Sequence, residues 1–516
     1  MSDSDAKHRL DHIVVVMFEN RSFDNVLGYL YDPGEVPSFE GVAGRNLSNP
    51  IPREVPEPKP TGAAVHPAEN MNTPDPGPGE EFPHVNTQLY GTVIPDDNRF
   101  KKVDEMTAPY NAPSDPSGEP SMKGFVEDYV HKFWVDRGRL PSYSESAQIM
   151  ACYAPEQLPV LSALARGFAC FDHWFCEVPS QTYANRSFFH AASSSGFVDN
   201  GPYGKFATLN DAPTIFERLN DAHLNWRVYF DPEQVLSATG LIHARRLAPY
   251  FRTNFSSLHN FFEDAQAGQL PEYSFIEPNM FHPHADMHPS GVARLRHGLH
   301  LPRPDSMIGG ERLLAEVYTA VRSSSTPGGS NWANTMLLVT FDEHGGTFDH
   351  VPPPPAVPPD PAAPAGEMGF RFDRSGVRVP TIAISAWVDP RTVVTAEHRS
   401  TSVLRTLRER WGLGSPLTRR DATAADIAPI LSRDSPRSPD TWPAIPIPKI
   451  RLLTRVTAAI EHPFDRLERE LVGDAVAYEA RAASGESRVD VEALSHREAH
   501  GHLRRIGKDM FPGIRR

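Results

Sequence analysis

The fold class this sequence predicts is α/β: a sandwich around a mostly parallel sheet, with long loop insertions. Three observations predict it. Two continuous apolar runs rich in β-branched residues, His12–Phe18 and Leu337–Phe341, read as strands buried on both faces, as parallel strands are. Further strand-like runs alternate with helix-like segments, which is the order that builds a doubly wound α/β sheet. And 51 of the 516 residues are proline, which predicts long ordered loops between those elements.

The elements follow in order. The first strand, His12-Ile13-Val14-Val15-Val16-Met17-Phe18, gives way abruptly to Glu19-Asn20-Arg21-Ser22-Phe23-Asp24, and a helix is predicted to start over Asn20–Leu30. Residues 31–121 are rich in Pro, Gly and Asn with weak periodicity. An excursion of that length in a compact enzyme reads as active-site loops rather than a linker. Met122–Tyr129 returns to a helical pattern, Leu158–Phe168 is a helix, and Phe171–Phe175 is a short strand. Val178–Ser187 then carries hydroxyls at a strand-to-helix turn, ahead of a helical stretch at Phe188–Ala192. Residues 213–220 and 310–322 read as amphipathic helices, and Trp226–Phe230 as a strand. The second apolar run ends in Asp342-Glu343-His344-Gly345-Gly346. Residues 352–365, just after Asp349-His350-Val351, are Pro-rich and read as a rigid extended loop near the site. Val379–Trp387 is another buried strand, and 436–448 is Pro-rich again. The charged, helix-prone stretch 449–516 reads as a tail packed on the surface. The organisation expected is one main domain over 1–448, with 31–121 as its loop-rich insertion, and a helical tail over 449–516.

Composition excludes some partners. The net charge of −14 argues against non-specific nucleic-acid binding and against adhesion to anionic membranes, but not against a zwitterionic or neutral substrate. Cys152, Cys170 and Cys176 make neither a disulfide framework nor a zinc motif. They read as buried small hydrophobes, although one pair could bridge in an oxidising compartment. No apolar stretch is long enough to span a membrane, which leaves at most transient contact with a membrane surface. Met1–Lys7 runs straight into the first strand with no signal-peptide pattern, so the sequence as written predicts a cytoplasmic protein, with export by another route left open. Oligomeric state is not legible.

The chemistry begins where the two apolar runs end. Ligands of open α/β sheets bind at the carboxyl ends of the strands. Glu19, Asn20, Asp342 and Glu343 are therefore expected to converge, and four oxygen ligands are what a hard divalent cation takes. Each pair alone reads equally well as a loop or helix cap. The same pattern after two separate strands, with a third element beside it, favours a site. That third element is the hydroxyl-bearing turn at 178–187. Backbone N–H groups and the helix dipole favour an anion there, and a cation-bound hydroxyl can ionise and attack phosphorus. Standing alone it would read as a Ser/Thr N-cap.

Glu-Asn-Arg-Ser-Phe-Asp at 19–24, Thr182-x-x-Asn185-Arg186 and Asp-Glu-His-Gly-Gly-x-x-Asp-His-Val at 342–351 resemble the non-specific phospholipase C family of bacteria and plants. That family also contains a bacterial acid phosphatase and belongs to the alkaline phosphatase superfamily. Ile276-Glu277-Pro278, Asp286-x-His288-Pro289, Gly310-Glu311, Gly376–Pro380 and Glu397-His398-x-Ser400 match as well, in family order from residue 12 to about 430. The resemblance implies an alkaline-phosphatase-like α/β/α sandwich and a metal-dependent phosphoric ester hydrolase in the 1–448 domain. Glu19, Asn20, Asp342 and Glu343 would hold one divalent metal ion, with Ca, Mg or Mn favoured by all-oxygen ligation and Zn left open. Thr182 would be the nucleophile and would also touch the metal. Asn185 would help hold the phosphate, and His288, His350 and His84 would stabilise phosphate oxygens or protonate the leaving alkoxide.

Departures and rivals are visible. Ala184 stands where the family's turn has proline. Ser180 is a rival nucleophile, ranked below Thr182. His282, His284, Asp286 and His288 leave a second metal site open, although acid or phosphate-contact roles are preferred. His344 reads as an orienter of the acidic pair, and His12, His173 and His462 as structural or surface residues. The implied reaction is phospholipase C cleavage of a glycerophospholipid such as phosphatidylcholine, through a phosphothreonine intermediate, to diacylglycerol and a phospho-headgroup. The alternative is an acid-phosphatase-type phosphomonoesterase acting on a small phosphate ester, and the remote alternative an inactive phosphate-binding protein. Phe82, Tyr90, Tyr110, Phe133, Trp134 and Phe281 could line an apolar approach for a lipid, or simply pack.

Overall fold

In the computed structural model of the chain the described residues are 9–449, less 70, 72–73, 117, 235, 282–283, 290–292, 295–299 and 302–305, together with 466–482, 489–491, 494, 496–512 and 514. His282 and His462 lie outside them.

The apolar runs make the middle of one large sheet. Its strands are β1 (His12–Phe18), β2 (Ala169–Phe171), β3 (Trp226–Phe230), β4 (Phe255–Ser257), β5 (Tyr273–Glu277), β6 (Thr335–Phe341), β7 (Thr381–Ile384) and β8 (Thr392–Val394), in the order β8-β2-β7-β6-β1-β5-β3-β4. Within this sheet β7 alone runs against the rest. The mixed α/β class with a mostly parallel sheet is therefore as expected. The expected 379–387 strand is present but shorter and reversed. β1 and β6 pair in register from His12↔Thr335 to Phe18↔Phe341. Val14 and Val16 face one side of the sheet and Val15 and Met17 the other, yet all four are closed to solvent. Each such side chain stabilises the fold by about 1.5–3 kcal/mol relative to exposure.

Helices flank the sheet at α1 (Phe23–Leu27), α2 (Phe82–Tyr90), α3 (Phe125–Arg137), α4 (Pro159–Gly167), α5 (Thr182–Ala191), α6 (Ile215–Asp221), α7 (Ser306–Ser323), α8 (Arg466–Ala482) and α9 (His496–Met510). Ser22 caps α1, its Oγ accepting Asn25 N–H at 3.2 Å. The 31–121 excursion is not only loop. It contains α2, and Val42, Val55, Val85 and Leu89 form a second small core with Phe125, Val126 and Val130 of α3 and Phe348.

The described part of 449–516 departs from a surface tail. Leu467, Leu471, Val472, Ala475 and Val476 of α8, with Leu503, Ile506 and Met510 of α9, belong to the main core. Glu470 Oε2 accepts from Asn200 Nδ2 at 2.6 Å, and Asp474 accepts from Gly204 N–H. All three cysteines are free and buried, and burial pushes their thiols up. Among the described residues no helix is long and apolar enough to cross a membrane.

Candidate active site

Because Phe18 and Phe341 are register partners, β1 and β6 deliver their next residues to the same edge of the sheet. Asp342 N–H donates to Phe18 O and Arg21 N–H to Glu343 O, both at 3.1 Å, so pairing continues past the strands. Glu19-Asn20 thus lies against Asp342-Glu343. Asn20 adopts φ +57°, a left-handed conformation that asparagine tolerates, and its N–H donates to Asp342 Oδ1 at 3.1 Å. Gly345 closes the second loop on the first. A Cβ at Gly345 would lie 2.3 Å from Asn20 O, so no larger residue fits there.

The helix α5 supplies the third element, and it begins at Thr182 rather than at the expected Phe188. Asn185 is the reason. Its Oδ1 accepts from Glu177 N–H and Val178 N–H, each at 2.9 Å, and its Nδ2 donates to Val178 O, Ser180 O and Gln181 O at 3.1, 2.8 and 3.1 Å. This side chain winds the 177–181 loop onto the helix. Thr182 and Arg186 then sit one turn apart on one face. Thr182 Oγ donates to Glu19 Oε2 at 3.2 Å. Arg186 Nε donates to Glu19 Oε1 at 3.0 Å and lies 3.5 Å from Asp342 Oδ2.

The site is crowded with negative charge. Burial pushes the Glu19 carboxyl well up, Arg186 opposes that, and Asp342 and Asp286 add to it. Burial also pushes Glu343 up, with Glu80 and Asp342 contributing. Asp342 Oδ1 accepts Asn20 N–H and Glu343 N–H, at 3.1 and 2.7 Å, and Glu343 Oε2 accepts Gly345 N–H at 2.6 Å. The other oxygens do not find donors. Among the described residues, Asn20 Oδ1, Asp342 Oδ2 and Glu343 Oε1 have no hydrogen-bond partner. Buried polar atoms are normally partnered. Three orphaned oxygens on three of the expected ligands are what a hard divalent cation would complete, so the donor set fits one.

Some expected residues are placed elsewhere. Asn185, expected to hold phosphate, commits both of its amide hydrogens and its oxygen to the 177–181 loop. Ser180 gives its hydroxyl to Asp199 Oδ1 at 2.5 Å, not to the acidic cluster. His350 lies in a separate network: its Nδ1 and N–H meet Asp24 Oδ2 at 2.6 and 2.8 Å, and its Nε2 lies 3.1 Å from Glu40 Oε1. Asp24, Asp349 and His350 are, among the described residues, the trio of acids and histidines tight enough to chelate an ion as they stand. Yet Arg378 already serves both carboxylates, from Nη2 to Asp24 and from Nε to Asp349, each at 2.9 Å.

His84 and His288 face a cavity of about 1160 Å³, which Glu80, Glu81 and Asp199 also line. His288 Nδ1 meets Pro289 O at 3.0 Å, and His284 Nδ1 lies 3.2 Å from Asp286 Oδ2. Glu80, which the sequence reading passed over, stands between cavity and acidic cluster. It accepts from Asn20 Nδ2 and, at 3.4 Å, from Gln181 Nε2, and its Oε2 lies 4.0 Å from His288 Nε2. Its contact with Asn20 turns the orphaned Oδ1 away from Glu80. Arg186 was also given no role, although its place one turn after Thr182 was the signal.

Comparison with known proteins agrees. The model of the Phosphoesterase family matches residues 10–414. The chain is 30% identical to non-specific phospholipase C3 of Arabidopsis thaliana, over 84% of this chain and 76% of that one. It is 32% identical to non-specific phospholipase C6 of the same plant, over 84% and 75%. It is 25% identical to phospholipase C A of Mycobacterium tuberculosis, over 87% and 82%. Solved structures overlay less of it. A phosphonate monoester hydrolase from Silicibacter pomeroyi gives a TM-score of 0.30 at 14% identity, covering 54% of this chain and 72% of that one. An alkaline phosphatase superfamily protein from Vibrio parahaemolyticus also gives 0.30, at 12% identity, covering 56% and 64%. Likeness at that level adds nothing to the chemistry of the site.

Proposed function

We propose how the site works from one premise: the chain belongs to the phosphoesterase family and is a phosphoric ester hydrolase. Its reaction is phospholipase C cleavage of a glycerophospholipid, with Thr182 as the nucleophile. The observation that carries this reading is the hydroxyl of Thr182 held on Glu19 Oε2 at 3.2 Å, at the N-terminus of α5 and beside three orphaned oxygens. The likeness to phospholipases C over most of the chain supports the substrate class.

Glu19, Asn20, Asp342, Glu343 and the Thr182 hydroxyl would hold one divalent cation, which would supply acidity to that hydroxyl and draw charge from phosphoryl oxygens. The residues of the chain do the rest. Glu19 Oε2 orients the hydroxyl and is the acceptor nearest its proton. Thr182 Oγ forms a bond to phosphorus as the bond from phosphorus to the glycerol oxygen breaks. The departing alkoxide takes a proton from a cavity histidine, His84 or His288. Water then attacks phosphorus, the Thr182–phosphorus bond breaks, and the hydroxyl regains its proton. Arg186 holds Glu19 in place throughout and is itself fixed by the Glu19 and Asp342 carboxylates.

The test sets phosphatidylcholine beside p-nitrophenyl phosphate, for wild type and Thr182→Ala, with Ca, Mg, Mn or Zn supplied. Diacylglycerol release that Thr182→Ala abolishes is the expected result. Turnover of the monoester alone would replace the reading with a phosphomonoesterase. Undiminished activity in Thr182→Ala would overturn the nucleophile and bring Ser180 forward.

A further inference from the structure

A buried chain of hydrogen bonds leads from His344, next to Glu343, to the cavity. Its polarity is set at the carbonyl oxygen of Gly79, which can only accept. Gln88 Nε2 lies 2.7 Å from that oxygen and so must be the amide's nitrogen, donating. The same Nε2 donates to Asp128 Oδ2 at 2.8 Å. Gln88 Oε1, thereby fixed as an acceptor, meets His344 Nε2 at 2.8 Å, which places the proton of that imidazole on Nε2. His344 Nδ1, left without a hydrogen, makes no hydrogen bond among the described residues, and Glu343 Oε2 lies 3.4 Å from it. At the other end, Asp128 Oδ1 meets His84 Nδ1 at 2.6 Å. Asp128 Oδ2 accepts from Gln88, which leaves Oδ1 to face His84 Nδ1 alone.

His84 is confined as well as bonded. A Cβ at Gly79 would fall 2.3 Å from His84 Cγ, so the Gly79 backbone lies flat against the ring. The His84 and Asp128 side chains are only 4% and 3% exposed, and yet His84 lines the cavity. With Nδ1 turned to Asp128, Nε2 is the nitrogen left for a ligand in that cavity. His288, the other cavity histidine, meets the backbone carbonyl of Pro289 at its Nδ1.

We infer that Asp128 is a positioning residue for the leaving-group step: it fixes the orientation of His84 and accepts its Nδ1 hydrogen, so that His84, entering the step as the imidazolium with a hydrogen on each nitrogen, gives the proton on Nε2 to the departing alcohol. The inference rests on the phosphoryl-transfer reading above. It selects His84 over His288 as the acid, and it gives α3 a function that nothing in its own sequence announces. When the phosphorus–oxygen bond breaks, the electron pair stays on the glycerol oxygen, the proton moves from His84 Nε2 to that oxygen, and the imidazole keeps its Nδ1 hydrogen on Asp128. Water later returns a proton to Nε2 as it becomes hydroxide attacking phosphothreonine.

Leaving-group chemistry tests this. Wild type, Asp128→Asn, His84→Ala and the double variant are assayed on two phosphocholine diesters: phosphatidylcholine, which leaves as an alkoxide, and p-nitrophenylphosphorylcholine, which leaves as a stable phenolate. If wild type proves to be a monoesterase, glycerol phosphate and p-nitrophenyl phosphate replace them. Asp128→Asn should lower kcat on the alkyl ester by about 10- to 100-fold, the range for groups that orient a reacting residue, with KM little changed. The aryl ester should lose several-fold less, and the double variant should be no slower than His84→Ala alone. Equal losses on both esters would reduce Asp128 to a purely structural role and overturn the inference. So would losses that multiply in the double variant. Failure of the phosphoryl-transfer reading it rests on looks different: wild type would turn over neither ester pair, or Thr182→Ala would remain active and the nucleophile would lie elsewhere.

Discussion

Two acidic clusters in this molecule are built by the same two segments, 19–24 and 342–350, and they behave oppositely. In the first, Glu19 and Asp342 hold Arg186, and Asn20, Asp342 and Glu343 are left with three oxygens without donors among the described residues. In the second, Asp24 and Asp349 share Arg378, His350 and backbone N–H groups, so that every carboxylate oxygen is engaged. The second is the tighter of the two and looks more like a chelate. The difference teaches where function sits. The Asp24 cluster is electrostatically closed and holds the loops together. The Glu19 cluster is open: among the described residues, Asn20 Oδ1, Asp342 Oδ2 and Glu343 Oε1 are left without donors.

Asp342→Asn strikes the open cluster and should have the largest effect. Loss of a metal-type ligand removes several kcal/mol of transition-state stabilisation, about 10³- to 10⁴-fold in rate. Stability should not follow, because one of several crowded like charges is removed. The thermal midpoint in chelator is expected at or above that of wild type. The rise on adding Ca, Mg or Mn to wild type, about 2.7 kcal/mol at roughly a hundred times Kd, should vanish. A midpoint well below wild type in chelator would mean that this cluster, too, is structural.

Arg378→Ala strikes the closed cluster and should do the reverse. It leaves Asp24 and Asp349 buried without their cation, at a cost of about 3–5 kcal/mol, measurable by urea unfolding. Whatever fraction remains folded should still respond to added divalent cation. A variant as stable as wild type would show that the Asp24 pair is not held by this arginine.

The smallest effect is a slope. Burial alone would lower the His350 pKa, but the hydrogen bond and charge of Asp24 outweigh it and the net shift is upward. A histidine raised in the folded state adds stability that is complete below its unfolded value, about 6.5, and is lost as pH rises through the folded one. Stability attributable to His350 should therefore fall on the alkaline side of about pH 6.5. His350→Gln should flatten that part of the curve without touching cation binding. An unchanged slope would remove His350 from the network's energetics.

The sheet's centre was legible because β1 and β6 are unbroken apolar runs, and with it the four acidic-edge residues, whose position follows from where those runs stop. β5 was not legible: Tyr273-Ser274-Phe275-Ile276-Glu277 mixes polar and apolar residues, and is a strand because β1 and β3 flank it. The tie of Asn185 to the 177–181 loop was not legible, because a side chain that ties a loop and one that holds a phosphate need the same donors. Glu80 and Asp128 act through partners brought close only by tertiary packing, so spacing could not reveal them. The helix at α8 was legible, but its buried face was missed. Its Arg466, Glu468, Arg469 and Glu470 drew the eye, while Leu467, Leu471, Val472, Ala475 and Val476 recur at helical spacing and mark a buried face.

The pairing of Phe18 with Phe341 has one more consequence, and it concerns time. Asn20 and Asp342 are 322 residues apart in the chain yet share a hydrogen bond. Contacts so distant in sequence are among the last that a folding chain can secure, because loop closure must precede any gain from the contact. A half-folded copy in which β1 and β6 are still apart therefore lacks the assembled acidic edge. Hydrolytic competence arrives only as the two central strands zip together, which makes the first appearance of turnover a clock for the completion of folding.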